Sequence, residues 1–138
     1  MSHTDAKLRS ILDRETIAIV GCSGSSGKLA HDIPKYLQEQ GYRIVPINPT
    51  AETILGAKSY ESLAEVEETI RLLGVFRPSE ELGDIASQVL KRDDVPIVWT
   101  QIGISDADAE AAIAKSGRTL VINECLRCEH KRLFGKES

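Results

Sequence analysis

The sequence predicts an α/β fold: a doubly wound parallel sheet of about five strands with helices on both faces. Apolar runs of strand length alternate with segments of helical period, the pattern of parallel βαβ units. The first run, TIAIVGC (16–22), is rich in β-branched residues and lacks polar alternation, as expected of a central strand buried on both faces. Directly after it stands a loop of small residues, GCSGSSGK (21–28), the setting in which parallel sheets hold ligands.

An opening helix is expected over DAKLRSIL (5–12), with Leu8, Ile11 and Leu12 on one face. After the first strand, the next helix is expected to start near Ala30. Pro34 would break a helix interior but costs little in a first turn, where backbone N–H groups have no intrahelical partner. That leaves a long loop over about 22–29, and Gly41 reads as the helix's C-terminal cap. YRIVPINP (42–49) is a second strand, KSYESLAEV (58–66) a short strand with a helical turn, and TIRLLGVF (69–76) a further strand. SEELGDIASQVLKR (79–92) reads as a helix capped by Ser79 with glutamates in its first turn. PIVWTQIGI (96–104) is strand plus turn, SDADAEAAIAKSG (105–117) a capped helix ending at Gly117, TLVINE (119–124) the last strand and CLRCEHKRL (125–133) a final helix. Right-handed crossovers bring the strand tips near Gly21, Asn48, Phe76, Gln101 and Asn123 to one edge, where function is sought.

The chain has 138 residues, which by length reads as one domain, 1–138. A net charge of −4 argues against a nucleic-acid role, which shows as a clustered basic surplus. No segment approaches the roughly 18 apolar residues of a membrane span. The N-terminal MSHTDAKLRSILDR has neither secretory nor transit pattern, so a cytoplasmic location is expected. Cys22, Cys125 and Cys128 fit no disulfide framework and read as free thiols.

The small-residue loop matches neither well-known phosphate motif. Aligned on Gly27-Lys28, a Walker A loop would have Cys22 in place of its first glycine and Leu29 in place of the hydroxyl that holds magnesium. The dinucleotide pattern G-x-G-x-x-G fails at Ser23, and the second strand ends in Asn48-Pro49 where that pattern needs an acid for the ribose hydroxyls. What survives is the physics beneath both: small residues leave backbone N–H groups bare, and a helix N-terminus adds partial positive charge. With Lys28 as a mobile cation, the loop reads as an anion cradle.

Together, GCSGSSGK, GYRIVPINP, VFRPSEE, VWTQIGI and CLRCEH, in order over about 12–133, resemble the small stand-alone CoA-binding proteins. Their domain is similar to the CoA-binding N-terminal domain of the succinyl-CoA synthetase alpha subunit. The resemblance implies a Rossmann-like domain that binds coenzyme A or an acyl-CoA at the carboxyl ends of the sheet, phosphates on the 22–28 loop. It implies contacts from Gly21, Ser23, Gly24, Ser25, Ser26 and Lys28, from Asn48 and Pro49 at an NP turn, from Phe76 and Arg77, and from Gln101, Ile102 and Gly103 at a QxGI turn. The family loop is usually richer in proline and basic residues, with an arginine near position 28; Gly74 and Arg71 stand where acids are common. The G-x-x-G-x-x-G spacing here looks more like the synthetase alpha subunit. The absent acid also makes chemical sense, because the ribose of CoA is phosphorylated and a carboxylate would repel it. NADP would be repelled for the same reason, so that argument leaves the two open.

The remaining candidates read mainly as structure. Cys125-x-x-Cys128 with His130 is a possible redox pair or half zinc site lacking further ligands, and Cys128 reads as core. Phe76 reads as a cleft wall and Trp99 as core, while Arg77, set by Pro78 at a strand's carboxyl end, faces the cleft. Cys22 reads as a small buried side chain, although its place near a helix N-terminus is one that lowers a thiol's pKa. Glu124, His130 and Arg132 form no recognisable nucleophile and base, so no catalytic residue and no metal ligand is assigned. The expectation is a CoA-binding or regulatory module without its own catalysis. The alternatives are a small NADP-dependent oxidoreductase, an accessory piece of an acyl-CoA ligase, or a redox sensor. A complete ligase would need a phosphorylatable histidine in a second domain, which a chain ending at Ser138 is not expected to hold.

Overall fold

In the computed structural model, helix α1 (Asp5–Leu12) leads into strand β1 (Thr16–Val20), helix α2 (Leu29–Glu39) and strand β2 (Arg43–Ile47). Two short strands, β3 (Thr53–Ile54) and β4 (Ala57–Lys58), pair as a small hairpin. Strand β5 (Leu72–Val75), helix α3 (Leu82–Leu90), strand β6 (Ile97–Thr100), helix α4 (Ala107–Lys115), strand β7 (Thr119–Val121) and helix α5 (Leu126–Phe134) complete the chain. The structure describes residues 3–13 and 16–135; both ends of the expected 1–138 domain lie outside the described residues.

The five long strands are parallel in the order β2-β1-β5-β6-β7. Ile17 and Ile19 of β1 enter one core with α1, α2 and α5, whereas Ala18 and Val20 enter the other with α3 and α4. Strand side chains alternate between faces, so an unbroken apolar run serves both cores at once. This is the doubly wound sheet the sequence predicts. Its order reverses direction at β1, with β2 on one side and β5 on the other, which opens a crevice at their carboxyl ends. The register sets Val20 beside Ile47 and Val75, so Gly21, Asn48 and Phe76 leave the sheet abreast.

Two local expectations change. Pro34 is the sixth residue of α2, not a first-turn residue. Ser79 does not cap α3: residues Ser79–Glu81 form a 3-10 turn ahead of it. The Ser79 hydroxyl instead accepts the Ser105 N–H at 2.9 Å, tying this turn to the loop after β6. The other caps follow the sequence: Thr4 and Asp106 accept the N–H of Lys7 and Ala109, and Gly41 and Gly117 follow α2 and α4 with φ of +100° and +89°. No helix among the described residues is long and apolar enough to cross a membrane.

Candidate functional site

A cleft of about 490 Å³ opens where the tips of β1 and β5 part. Its apolar floor is Val20, Ile47, Leu63 and Ile85, all from the core on the α3 face. Its mouth brings together seven residues marked in the sequence: Gly21, Ser23, Lys28, Asn48, Pro49, Phe76 and Arg77.

Gly21 is required twice over. Its φ of +86° lies in the left-handed region, and a Cβ there would stand 2.6 Å from Cδ of Arg77 and 2.7 Å from the carbonyl oxygen of Phe76. The stem of Arg77 therefore lies across Gly21, and its guanidinium donates from Nε and Nη2 to the two Glu81 oxygens at 3.1 and 2.5 Å. That hydrogen bonding holds the Glu81 carboxyl below its usual range and raises Arg77 further. Both side chains are close to half exposed, so the pair adds at most about 1 kcal/mol to stability and stays open to competition by a ligand.

The loop does not present an unbroken row of bare amides, as the sequence reading expects. Ser23 N–H donates to the Ala30 carbonyl at 2.9 Å and Ser25 N–H to the Ser23 hydroxyl at 3.0 Å. Gly27 N–H donates to Oδ1 of Asp32 at 3.2 Å, and Lys28 N–H reaches the Ser25 carbonyl at 3.4 Å. His31 donates from Nδ1 to the Ser23 carbonyl at 2.8 Å, which fixes the ring tautomer because a carbonyl only accepts. Among the described residues no hydrogen bond takes up the N–H of Gly24 or Ser26. These two amides, beside the N-terminus of α2 and Lys28, are the donors the loop leaves open. The Asp32 carboxylate already occupies the amide of Gly27 as an internal anion. Gly24, Ser25 and Ser26 stand exposed beyond the cleft's lining.

Asn48 links the two walls of the crevice. Its Nδ2 donates to the Cys22 carbonyl at 3.0 Å, while its Oδ1 accepts the N–H of Thr50 and Ala51 at 2.9 and 3.1 Å. An amide does both; a carboxylate could not donate to Cys22. The residue that sequence reasoning ties to a phosphorylated ribose thus has a structural reason of its own.

Besides Gly24, Ser25 and Ser26, three more marked residues do not line the cleft. Gln101 is 7% exposed, and its Oε1 accepts the Leu126 N–H at 2.9 Å at the start of α5. Ile102 is 65% exposed, and Gly103 N–H donates to Asn123 Oδ1 at 2.8 Å. Trp99 is fully buried, its indole N–H on the Glu124 carbonyl at 2.8 Å, which agrees with its reading as core. Cys22 is fully buried, and burial pushes its thiol up to about 12 against a weaker lowering from the backbone of Ser23, so it keeps its proton. Cys128 corrects its reading as core: it is exposed, because its place in the first turn of α5 faces solvent, while Cys125 is buried. Among the described residues no group of three His, Cys, Asp or Glu side chains gathers to hold a metal.

Sequence reasoning missed His31 and Asp32, which brace the loop, and the acids of the cleft, Glu61, Glu81 and Asp84. The spacing of Glu81, four residues after Arg77, was the one available signal. The acids make the cleft asymmetric, with Lys28 and Arg77 toward the loop and Asp84 with Gln88 toward α3.

A family model described as a CoA binding domain matches residues 15–131. An uncharacterised Bacillus subtilis protein, YneT, is 36% identical over 91% of this chain and 93% of its own. An ADP-forming acetate–CoA ligase of Methanocaldococcus jannaschii is 36% identical over 74% of this chain, which spans only 14% of that ligase. A solved structure from Thermus thermophilus is 38% identical with a TM-score of 0.91, covering 96% of this chain and 100% of that one.

Proposed function

The chain belongs to the CoA-binding domain family, and from that premise we propose that the cleft between the β1 and β5 tips binds coenzyme A or an acyl-CoA. The observation that carries the reading is the asymmetry of that cleft. Lys28, Arg77 and the N-terminus of α2 stand together at one end, with the amides of Gly24 and Ser26 on the exposed rim beyond it, suited to the phosphates of the nucleotide. The apolar floor suits the pantetheine arm, and Phe76 supplies a partly buried aromatic wall. Ser23, Asn48 and Gly21 hold the two walls in place, Ser25 and Ser26 stand on the exposed rim, and Pro49 closes the end of β2. In this proposal Gln101 and Gly103 support the site from the next strand, through α5 and the tip of β7, and Ile102 stands exposed between them. Residues 1–138 act as one binding domain in a cytoplasmic setting, with no nucleic-acid partner.

We also propose that the chain binds without catalysing. Among the described residues no nucleophile and base stand together in the cleft: the thiol of Cys22 is buried and protonated, and the carboxylate of Glu81 is taken by Arg77. The match to the Methanocaldococcus jannaschii ligase favours a second reading, an accessory piece of an acyl-CoA ligase.

A thermal-shift panel of CoA, acetyl-CoA, dephospho-CoA, NAD and NADP tests the first reading. A ligand at 100 times its Kd adds about 2.7 kcal/mol and raises Tm by on the order of 10 °C. Stabilisation by NADP and none by CoA overturns the proposal and leaves the oxidoreductase alternative. Release of acetate from acetyl-CoA by the chain alone, with ADP and phosphate, would overturn the claim of binding without catalysis.

A further inference from the structure

We propose that Cys125 and Cys128 form a redox-active dithiol that exchanges with low-molecular-weight disulfides and closes to an intrachain disulfide. The pair opens α5: Cys125 is its N-cap residue, with extended torsions of φ −88° and ψ 118°, and Cys128 lies in its first turn. Residues three apart on a helix have Cβ atoms about 5–6 Å apart, and the extended torsions of Cys125 curl its side chain back over the turn. Its sulfur accepts the N–H of Cys128 itself at 3.3 Å, and the Cys128 thiol is within side-chain hydrogen-bonding reach of it, so the two thiols face each other across one turn.

The two thiols divide the work that exchange needs. Cys128 is exposed to an incoming disulfide, while Cys125 is 9% exposed and sits behind it. Hydrogen bonding to Cys125 keeps the Cys128 thiol above its usual range, so Cys128 must give up its proton before it attacks. A purely structural account fits poorly. Thiol sulfur is a weak acceptor, whereas the other two side-chain-capped helices use the oxygens of Thr4 and Asp106. The pair lies apart from the cleft: Cys125 and Leu126 pack into the core of the α1, α2 and α5 face, whereas the cleft floor belongs to the α3 face. The inference therefore does not rest on the ligand of the cleft.

The chemistry balances with a small disulfide, RSSR, as oxidant. The Cys128 thiolate attacks one sulfur of RSSR, forming a mixed disulfide and releasing one thiolate, which takes up a proton. The Cys125 thiolate then attacks Sγ of Cys128, forming the Cys125–Cys128 bond and releasing the second thiolate. Two electrons pass from the protein's sulfurs to RSSR, which leaves as two RSH.

The test uses the full chain in an equimolar buffer of reduced and oxidised glutathione, quenched with N-ethylmaleimide and read by intact mass and peptide mapping. The expected wild-type product is two hydrogens lighter, carries no glutathione, joins Cys125 to Cys128 and reopens in dithiothreitol. Cys125→Ser keeps an oxygen cap on α5 and is expected to stop at a single glutathione adduct on Cys128. Cys22→Ser, which removes the buried thiol, is expected to behave as wild type. A wild-type protein that stays fully reduced, or that keeps glutathione on Cys128 without closing the ring, overturns the proposal. So does a Cys125→Ser variant that accumulates no adduct.

Discussion

The N–H of Ser23 donates to the carbonyl of Ala30 at 2.9 Å, fastening the loop after β1 to the first turn of α2. That carbonyl is free because the residue four positions on, Pro34, has no N–H to offer it. A proline inside a helix thus leaves one acceptor unserved, and the loop satisfies it. The same contact removes Ser23 N–H from the donors that a ligand could use. Pro34→Ala restores a competing donor within the helix and relieves the proline's strain on it. We expect Tm to hold or rise, while the Ser23 amide exchanges with solvent about tenfold faster, the equivalent of one hydrogen bond of roughly 1–1.5 kcal/mol. Hydrogen exchange read by NMR checks it, and unchanged Ser23 protection would show that the proline does not set this contact.

Gly24 sits with its free N–H at the open side of the loop, and a Cβ built there meets nothing within 4 Å. Gly24→Val therefore has room to fold but covers the amides proposed for the phosphates. We expect CoA affinity to fall at least tenfold, with Tm within a few degrees of wild type. Titration calorimetry beside a thermal melt separates the two effects, and equal affinity would make the loop only a connector.

Glu81 holds the guanidinium of Arg77 and brings a negative charge to the mouth of the cleft. Glu81→Gln is expected to raise CoA affinity several-fold, with the gain shrinking at high salt as a partly exposed charge effect should. Stability is expected to move by no more than about 0.5 kcal/mol. A loss of affinity would mean that Glu81 positions Arg77 for the ligand rather than competing with it.

Asp94 accepts two hydrogen bonds from Arg92 at 2.7 and 2.8 Å and one from Ile70 N–H at 2.9 Å. Arg92 in turn donates to the carbonyls of Leu63, Val66 and Glu68, which fixes the segment before β5. Burial alone would raise the carboxyl of Asp94, but these hydrogen bonds outweigh it and hold the group below its usual range. A depressed carboxyl stabilises the fold above its unfolded pKa of about 3.9, and that stability is lost as pH falls through the lower folded value. Asp94→Asn is therefore expected to lower Tm at pH 7 and to flatten the fall of Tm between about pH 4 and pH 2 relative to wild type. Parallel curves for the two proteins would show that Asp94 is not the group responsible.

The sequence by itself determined the alternation of strand and helix, both faces of the central strand, the strand tips that meet at one edge and the family. Each of these depends on residues close together in the chain: side-chain period, β-branched runs, caps and the small-residue loop. Gly21 and Arg77 were both marked in the sequence, yet their stacking was not legible, because 55 intervening residues must fold before the one can lie across the other. Only the tertiary structure decided which amides of the loop stay open, since the partners Ala30 and Asp32, like the His31 ring on the Ser23 carbonyl, depend on how α2 is set against β1. It also decided that Asn48 braces the Cys22 carbonyl, that Gln101 serves α5 and that Cys128 faces solvent. Propensity and period are properties of a local stretch, whereas a hydrogen-bond partner or an exposed face is fixed only when separate segments pack and exclude the alternatives.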